Sequence, residues 1–129
     1  VVHGHGGLDE LTTSGPNRVS RLQNGMVETF ELEAGDLGLR PARREELRGG
    51  EPPQNAKMLR DLLACRDQSP RRDVVLLNAA VALATEDGDI QTGLELARES
   101  LESGAALVKL DALVAYSQSL AGPIASVAQ

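Results

Sequence analysis

This sequence predicts an α/β fold, and three observations carry the prediction. Val1-Val2 runs into the glycine-rich stretch Gly4-His5-Gly6-Gly7, residues 18–23 and 26–32 flank Asn24-Gly25, and from Glu51 onward apolar residues recur at helical spacing. Asn-Gly between two strand-like runs is the strongest short hairpin signal, because a tight two-residue turn needs positive φ at both central positions.

Residues 1–39 therefore read as β-rich. The Asn24-Gly25 turn sets a register that places Leu22 opposite Val27, Arg21 opposite Glu28, Ser20 opposite Thr29 and Val19 opposite Phe30. Each pair is matched: apolar with apolar, cation with anion, hydroxyl with hydroxyl. Residues 33–39, with Gly35 and Gly38, read as loop, and 40–50 as a charged surface connection holding one helical turn. Pro52-Pro53 then open a helix that places Leu59, Leu62 and Leu63 on one face and ends near Arg66. Ser69-Pro70 has the form of an N-cap followed by proline at the first helical position. The next helix, over 71–85, is apolar nearly all round, which predicts burial on several sides. An acidic turn over 86–89 leads to a helix from about Ile90 that stops at Ser103-Gly104, with glycine at C′. A last helix from Ala105 turns Leu107, Leu110, Val114 and Tyr116 inward, and 121–129, with Gly122-Pro123, reads as a flexible tail.

A chain of 129 residues is one domain's worth and long enough to bury a core. Aromatics make up only 2% (Phe30 and Tyr116, no Trp), so the core must be built from Leu, Val and Ala. The same scarcity disfavours a base-stacking nucleic-acid platform. A formal net charge of −6 disfavours nucleic-acid and anionic-membrane surfaces. A Mg²⁺-dependent phosphate site stays compatible, because the metal supplies the positive charge. Cys65 is the only cysteine, which excludes an intramolecular disulfide and a Cys-rich metal site and points to the cytoplasm. The longest apolar run, over 79–84, is far short of a membrane span, and no signal-peptide pattern is present. A strand needs neighbours, and the chain starts on one without a preceding Met, so it reads as the interior of a longer protein.

Several stretches, taken in order, resemble one family. Val1-Val2-His3-Gly4 followed by Gly7-Leu8-Asp9-Glu10-Leu11-Thr12, then Ser14-Gly15-Pro16-Asn17-Arg18-Val19, Gly49-Gly50-Glu51-Pro52-Pro53-Gln54-Asn55-Ala56, Arg72-Asp73-Val74-Val75-Leu76-Leu77-Asn78-Ala79-Ala80 and Ser103-Gly104-Ala105-Ala106 are similar to the carboxy-terminal part of anthranilate phosphoribosyltransferase. The resemblance extends to Leu120, and its most specific element is the Gly-Leu-Asp-Glu turn. It implies an incomplete large domain of the nucleoside phosphorylase/phosphoribosyltransferase type, with a partial mixed β-sheet and packed helices. Residues 1–120 would be the carboxy-terminal portion of that α/β domain. It further implies transfer of phosphoribosyl from phosphoribosyl pyrophosphate to anthranilate, with release of pyrophosphate, in a cytoplasmic homodimer of tryptophan biosynthesis. The family's Gly-Thr-Gly-Gly-Asp loop, its Lys-His-Gly-Asn-Arg segment and its anthranilate-contacting arginine have no counterpart in these residues, so the piece alone is expected to be inactive. The alternatives are a portion of a pyrimidine-type nucleoside phosphorylase, which the Gly-Leu-Asp-Glu turn argues against, and a non-catalytic α/β interaction module.

By resemblance, Asp9 and Glu10 are Mg²⁺ ligands that hold the metal against the diphosphate. Mg²⁺ keeps several waters and takes one or two carboxylates, which suits a two-residue contribution. Adjacent residues on a regular strand point to opposite faces, so convergence requires the turn made by Gly6-Gly7. Without that context an Asp-Glu pair in a loop is most often a solvated surface pair. His3 and His5 sit two apart without a third ligand, a weak zinc pattern, and the simpler expectation packs one near the sheet end and exposes the other. His3 receives no assigned role, and Gly6 only a backbone one. Asn78 lies in an apolar helix and must find a hydrogen-bond partner there. Cys65 reads as a small packing residue, and Arg40, Arg43, Arg44 and Arg48, interleaved with Glu45 and Glu46, as a solvated face.

Overall fold

The computed structural model describes residues 1–85 and 88–120. A small sheet comes first, with β1 at Val2–His3, β2 at Asn17–Gln23 and β3 at Met26–Leu32. Helices follow: α1 at Pro52–Leu63, α2 at Pro70–Leu83, α3 at Ile90–Glu102 and α4 at Ala105–Leu120. Short 3₁₀ turns at Ala34–Leu37 and Arg44–Leu47 connect the two layers. Two residues of the expected acidic turn, 86 and 87, and the expected tail over 121–129 lie outside the described residues.

The hairpin has the register its turn dictates, from Gln23 opposite Met26 to Asn17 opposite Leu32. Asn24 (φ 51°) and Gly25 (φ 77°) both take the left-handed conformation such a turn requires. Across the strands, the Ser20 and Thr29 hydroxyls lie 2.8 Å apart and the Arg21 guanidinium donates to Glu28 at 2.8 Å. That ion pair is solvent-exposed, so the turn and the backbone ladder set the register. β1 pairs with β2, and both pairings among the described strands are antiparallel. The α/β class with a hairpin and packed helices is as expected, but among the described residues the sheet is antiparallel throughout rather than mixed.

The core is aliphatic, as the shortage of aromatics requires. Leu11, Val19, Leu32, Leu62, Leu76, Leu77, Leu94 and Leu101 form one buried cluster with small alanines between them. Asp73, Leu76, Leu77 and Ala80 bury one face of α2, at the three- and four-residue spacing of a helix stripe. Burial round α2 is incomplete: Val74, Asn78, Ala79 and Val81 are half-buried beside that face, but Val75 is 39% exposed and Leu83 48%. Leu59 of α1 is likewise 43% exposed, leaving Leu62 and Leu63 to face inward. Tyr116 is 64% exposed rather than inward, and Leu107, Leu110 and Val114 are half-buried on a helix with no fully buried residue.

Helix ends follow local chemistry. Ser69 is the N-cap residue of α2 and Pro70 opens the helix, although the Ser69 side chain makes no capping bond. Asp89 caps α3 by accepting from the Gln91 and Thr92 N–H groups, and the Thr92 hydroxyl does most to hold its carboxyl below the usual range. Gly104 ends α3 at φ 78°, its N–H donating to the Leu101 carbonyl. In the charged connection, Arg40 donates to the buried Asp73 at 2.7 Å and Arg43 to Glu46 at 3.3 Å, so these two cations are engaged. Cys65 takes φ 56° just after α1 and places its thiol 3.5 Å from the Leu101 carbonyl, a packing role.

Helices α2 and α3 approach each other tightly at Gly93. A Cβ there would lie 2.3 Å from the Ala80 carbonyl oxygen, a backbone atom that cannot swing away. Gly93→Ala is therefore expected to destabilise the fold by about 2 kcal/mol through overpacking. Gly35→Ala, whose Cβ would meet nothing within 4 Å, is expected to stay within about 0.5 kcal/mol of the parent. Urea-unfolding midpoints of the two variants check the contrast, and equal midpoints would contradict it.

Candidate metal centre

The candidate centre is built from the end of β1 outward. Gly4 forms an isolated antiparallel bridge with Leu8, its N–H donating to the Leu8 carbonyl at 2.8 Å. Between them the Gly7 N–H donates to the Gly4 carbonyl at 3.2 Å, and Gly6 (φ 72°) and Gly7 (φ 84°) supply the left-handed backbone that reverses the chain. Asp9 and Glu10 leave this reversal in a bend rather than a strand, so the opposite-faces rule of a pleated strand does not separate them.

The three residues after the pair are buried, and the first two have both backbone groups hydrogen-bonded to asparagine side chains. Leu11, Thr12 and Thr13 belong to no strand or helix, so their backbone groups need other partners. Asn78 of α2 supplies them at Leu11: its Oδ1 accepts the Leu11 N–H at 3.0 Å and its Nδ2 donates to the Leu11 carbonyl at 2.9 Å. Nδ2 also donates to the Val74 carbonyl one turn back in α2. Asn17, fully buried at the start of β2, does the same for Thr12, accepting its N–H at 2.8 Å and donating to its carbonyl at 2.9 Å. The Asn17 amide also reaches the Leu32 carbonyl at the end of β3. The Thr13 carbonyl accepts from the Ala42 N–H, which ties down the far end of the segment.

Asp9 and Glu10 themselves are exposed, and neither carboxylate bonds another described residue. This is a donor set suited to a hard divalent cation: anionic oxygen ligands on a fixed backbone, not neutralised by a neighbouring cation. No group of three or more His, Cys, Asp or Glu converges among the described residues. Two carboxylates without a protein-built cage match Mg²⁺, which completes its shell with water and phosphate oxygens, better than they match zinc. His3 is exposed on β1, and His5 is exposed with its ring over Gly15, so neither is the packed histidine the sequence suggests and no third ligand joins them.

Beside the turn lies a cavity of about 510 Å³ lined by Leu8, Arg44, Glu45, Leu47 and Arg48. Arg44 and Arg48 border this space together with Leu8, while Arg40 and Arg43 are held by Asp73 and Glu46. The hydrogen-bonding need of Asn78 is legible in the sequence, but its partner 67 residues away is not. The roles of Asn17 and Gly4 have weaker signals: an Asn after Gly-Pro, and a glycine one place before the turn.

Residues 1–107 match the family model described as "Glycosyl transferase family, a/b domain". The chain is 54% identical over 121 residues to anthranilate phosphoribosyltransferase of Roseiflexus sp. (strain RS-1), covering 92% of this chain and 36% of that protein. It is 46% identical to the enzyme of Chloroflexus aggregans, with the same coverage. Among solved structures, anthranilate phosphoribosyltransferase from Thermus thermophilus superposes with a TM-score of 0.78 at 38% identity, over 90% of this chain and 34% of that one. The Saccharomyces cerevisiae enzyme in complex with PRPP and Mg superposes with a TM-score of 0.76 at 32% identity, over 85% and 32%. The chain thus spans about a third of the length of the relatives it matches.

Asn17→Ala would leave the Thr12 N–H and carbonyl buried without partners. The expected loss is about 2–3 kcal/mol, against no more than about 0.5 kcal/mol for the exposed Gln23→Ala. Urea unfolding of both variants measures the difference.

Proposed function

The chain belongs to the glycosyl transferase family whose α/β domain its residues 1–107 match, and from that premise we propose that it is part of an anthranilate phosphoribosyltransferase. In this reading residues 1–120 form the carboxy-terminal portion of the α/β domain. The complete enzyme transfers phosphoribosyl from phosphoribosyl pyrophosphate to anthranilate in tryptophan biosynthesis. The observation that carries the reading is the Gly-Leu-Asp-Glu turn: two unpaired carboxylates on a backbone fixed from both sides, in a chain 54% identical to such an enzyme. Because the chain spans 36% of that relative, the transfer is assigned to the complete enzyme, and these 129 residues alone are taken to be inactive.

Asp9 and Glu10 are the residues that would hold Mg²⁺. When bound there, the metal offsets negative charge on the departing diphosphate as a Lewis acid and orients the substrate. The chain's own contribution is positional. Gly6 and Gly7 reverse the chain ahead of the pair, and both carboxylate residues stand exposed to solvent. A cytoplasmic homodimer is the proposed setting. No described helix is long and apolar enough to cross a membrane.

In the full-length protein, Asp9→Asn and Glu10→Gln are each expected to lower kcat/KM for Mg²⁺-dependent anthranilate phosphoribosylation by roughly 100-fold. Loss of anthranilate fluorescence follows the reaction. Transfer with unchanged metal dependence in both variants removes the metal assignment. Phosphate-dependent nucleoside cleavage without anthranilate transfer replaces the whole reading with a nucleoside phosphorylase.

A further inference from the structure

We propose that Asn78 and Gly4 are positioning residues for the Asp9–Glu10 pair, fixing between them the one peptide group that joins Glu10 to Leu11. The inference rests on the metal-binding reading of that pair. The peptide's N–H, on Leu11, donates to Asn78 Oδ1 at 3.0 Å. Its carbonyl oxygen, on Glu10, lies 2.0 Å from the point where a Gly4 Cβ would stand, so only glycine leaves it room. One end of the peptide is pulled by a hydrogen bond and the other is seated against bare backbone.

The Asn78 amide is itself oriented. Its NH₂ group donates to both the Leu11 and the Val74 carbonyls, and a flipped amide would turn an oxygen toward those two carbonyls. The bond to Val74 anchors the side chain to its own helix, so α2 presents a fixed donor–acceptor edge to the turn. A polar side chain within this mostly apolar helix needs a reason, because aliphatic residues fill such positions without a desolvation cost.

A metal shell gives the reason. Mg²⁺ demands near-ideal octahedral geometry. Asp9 and Glu10 meet no other described residue through their carboxylates, so their backbone alone sets where those groups can reach. Groups that orient metal ligands without touching the metal typically change affinity 10–100-fold when removed. A staple that merely joins loop to helix would change stability and leave affinity alone.

The test uses the full-length protein, Mn²⁺ in place of Mg²⁺, and inorganic pyrophosphate, with free Mn²⁺ counted by electron paramagnetic resonance. Asn78→Ala and Gly4→Ala are each expected to raise the Mn²⁺ Kd about 10-fold. Leu101→Ala opens the α3 core away from the turn and is expected to lower the melting temperature while leaving the Kd unchanged. Gly4 stands outside the apolar core cluster, so Gly4→Ala decides the matter where Asn78→Ala fails to fold. Wild-type Mn²⁺ affinity in Asn78→Ala and Gly4→Ala, with lowered melting temperatures, would overturn the proposal. Asp9→Asn separates the two layers of the argument. If it weakens Mn²⁺ binding and the positioning variants do not, positioning alone fails; if it does not weaken binding, the metal reading itself is wrong.

Discussion

Two asparagine amides, on Leu11 and Thr12, hold together what the sheet and the helices would otherwise leave apart. The segment 11–13 is buried without belonging to a strand or helix, so its peptide groups cannot be satisfied by a ladder. Asn17 ties Thr12 to the end of the hairpin through the Leu32 carbonyl, and Asn78 ties Leu11 to α2 across 67 residues. Sheet, turn and helix layer thereby share one joint, and the exposed carboxylates of Asp9 and Glu10 stand immediately beside it. The backbone that carries this pair is held at the Glu10–Leu11 peptide, while the carboxylates stay in solvent.

The helices have a different job. With almost no aromatic residues, the core relies on close approach of small and aliphatic side chains. Gly93 lets α3 lie against the Ala80 carbonyl, and Leu76, Leu77 and Leu94 are buried in the same cluster as Ala80. Stiffness in α2 matters because Asn78 projects from it. The same helix that buries Leu77 on one face thus holds the turn from another.

Local features were legible in the sequence because local chemistry decides them. Asn24-Gly25 dictates positive φ and with it the full hairpin register; Ser69-Pro70 and Gly104 mark helix ends; Gly6-Gly7 announces a reversal. Exposure was not equally legible. Tyr116, Leu59 and Val75 have the composition of core residues, but whether they are covered depends on elements distant in the chain. The carboxylates of the candidate site stand out from the turn and the resemblance, and Asn78, set in an apolar helix, needs a partner. That its partner is the Leu11 backbone, and that Gly4 must be glycine because the Glu10 carbonyl passes over it, are consequences of tertiary folding that no local pattern contains.

If the Asp9–Glu10 pair is a divalent-cation site on a pre-positioned backbone, crystals of the full-length protein grown with Mn²⁺ and pyrophosphate will show it by anomalous diffraction. The expected result is a Mn²⁺ peak coordinated by carboxylate oxygens of Asp9 and Glu10, with the Leu11–Asn78 bonds intact. A fully occupied Mn²⁺ peak bound to pyrophosphate but remote from both carboxylates would contradict it.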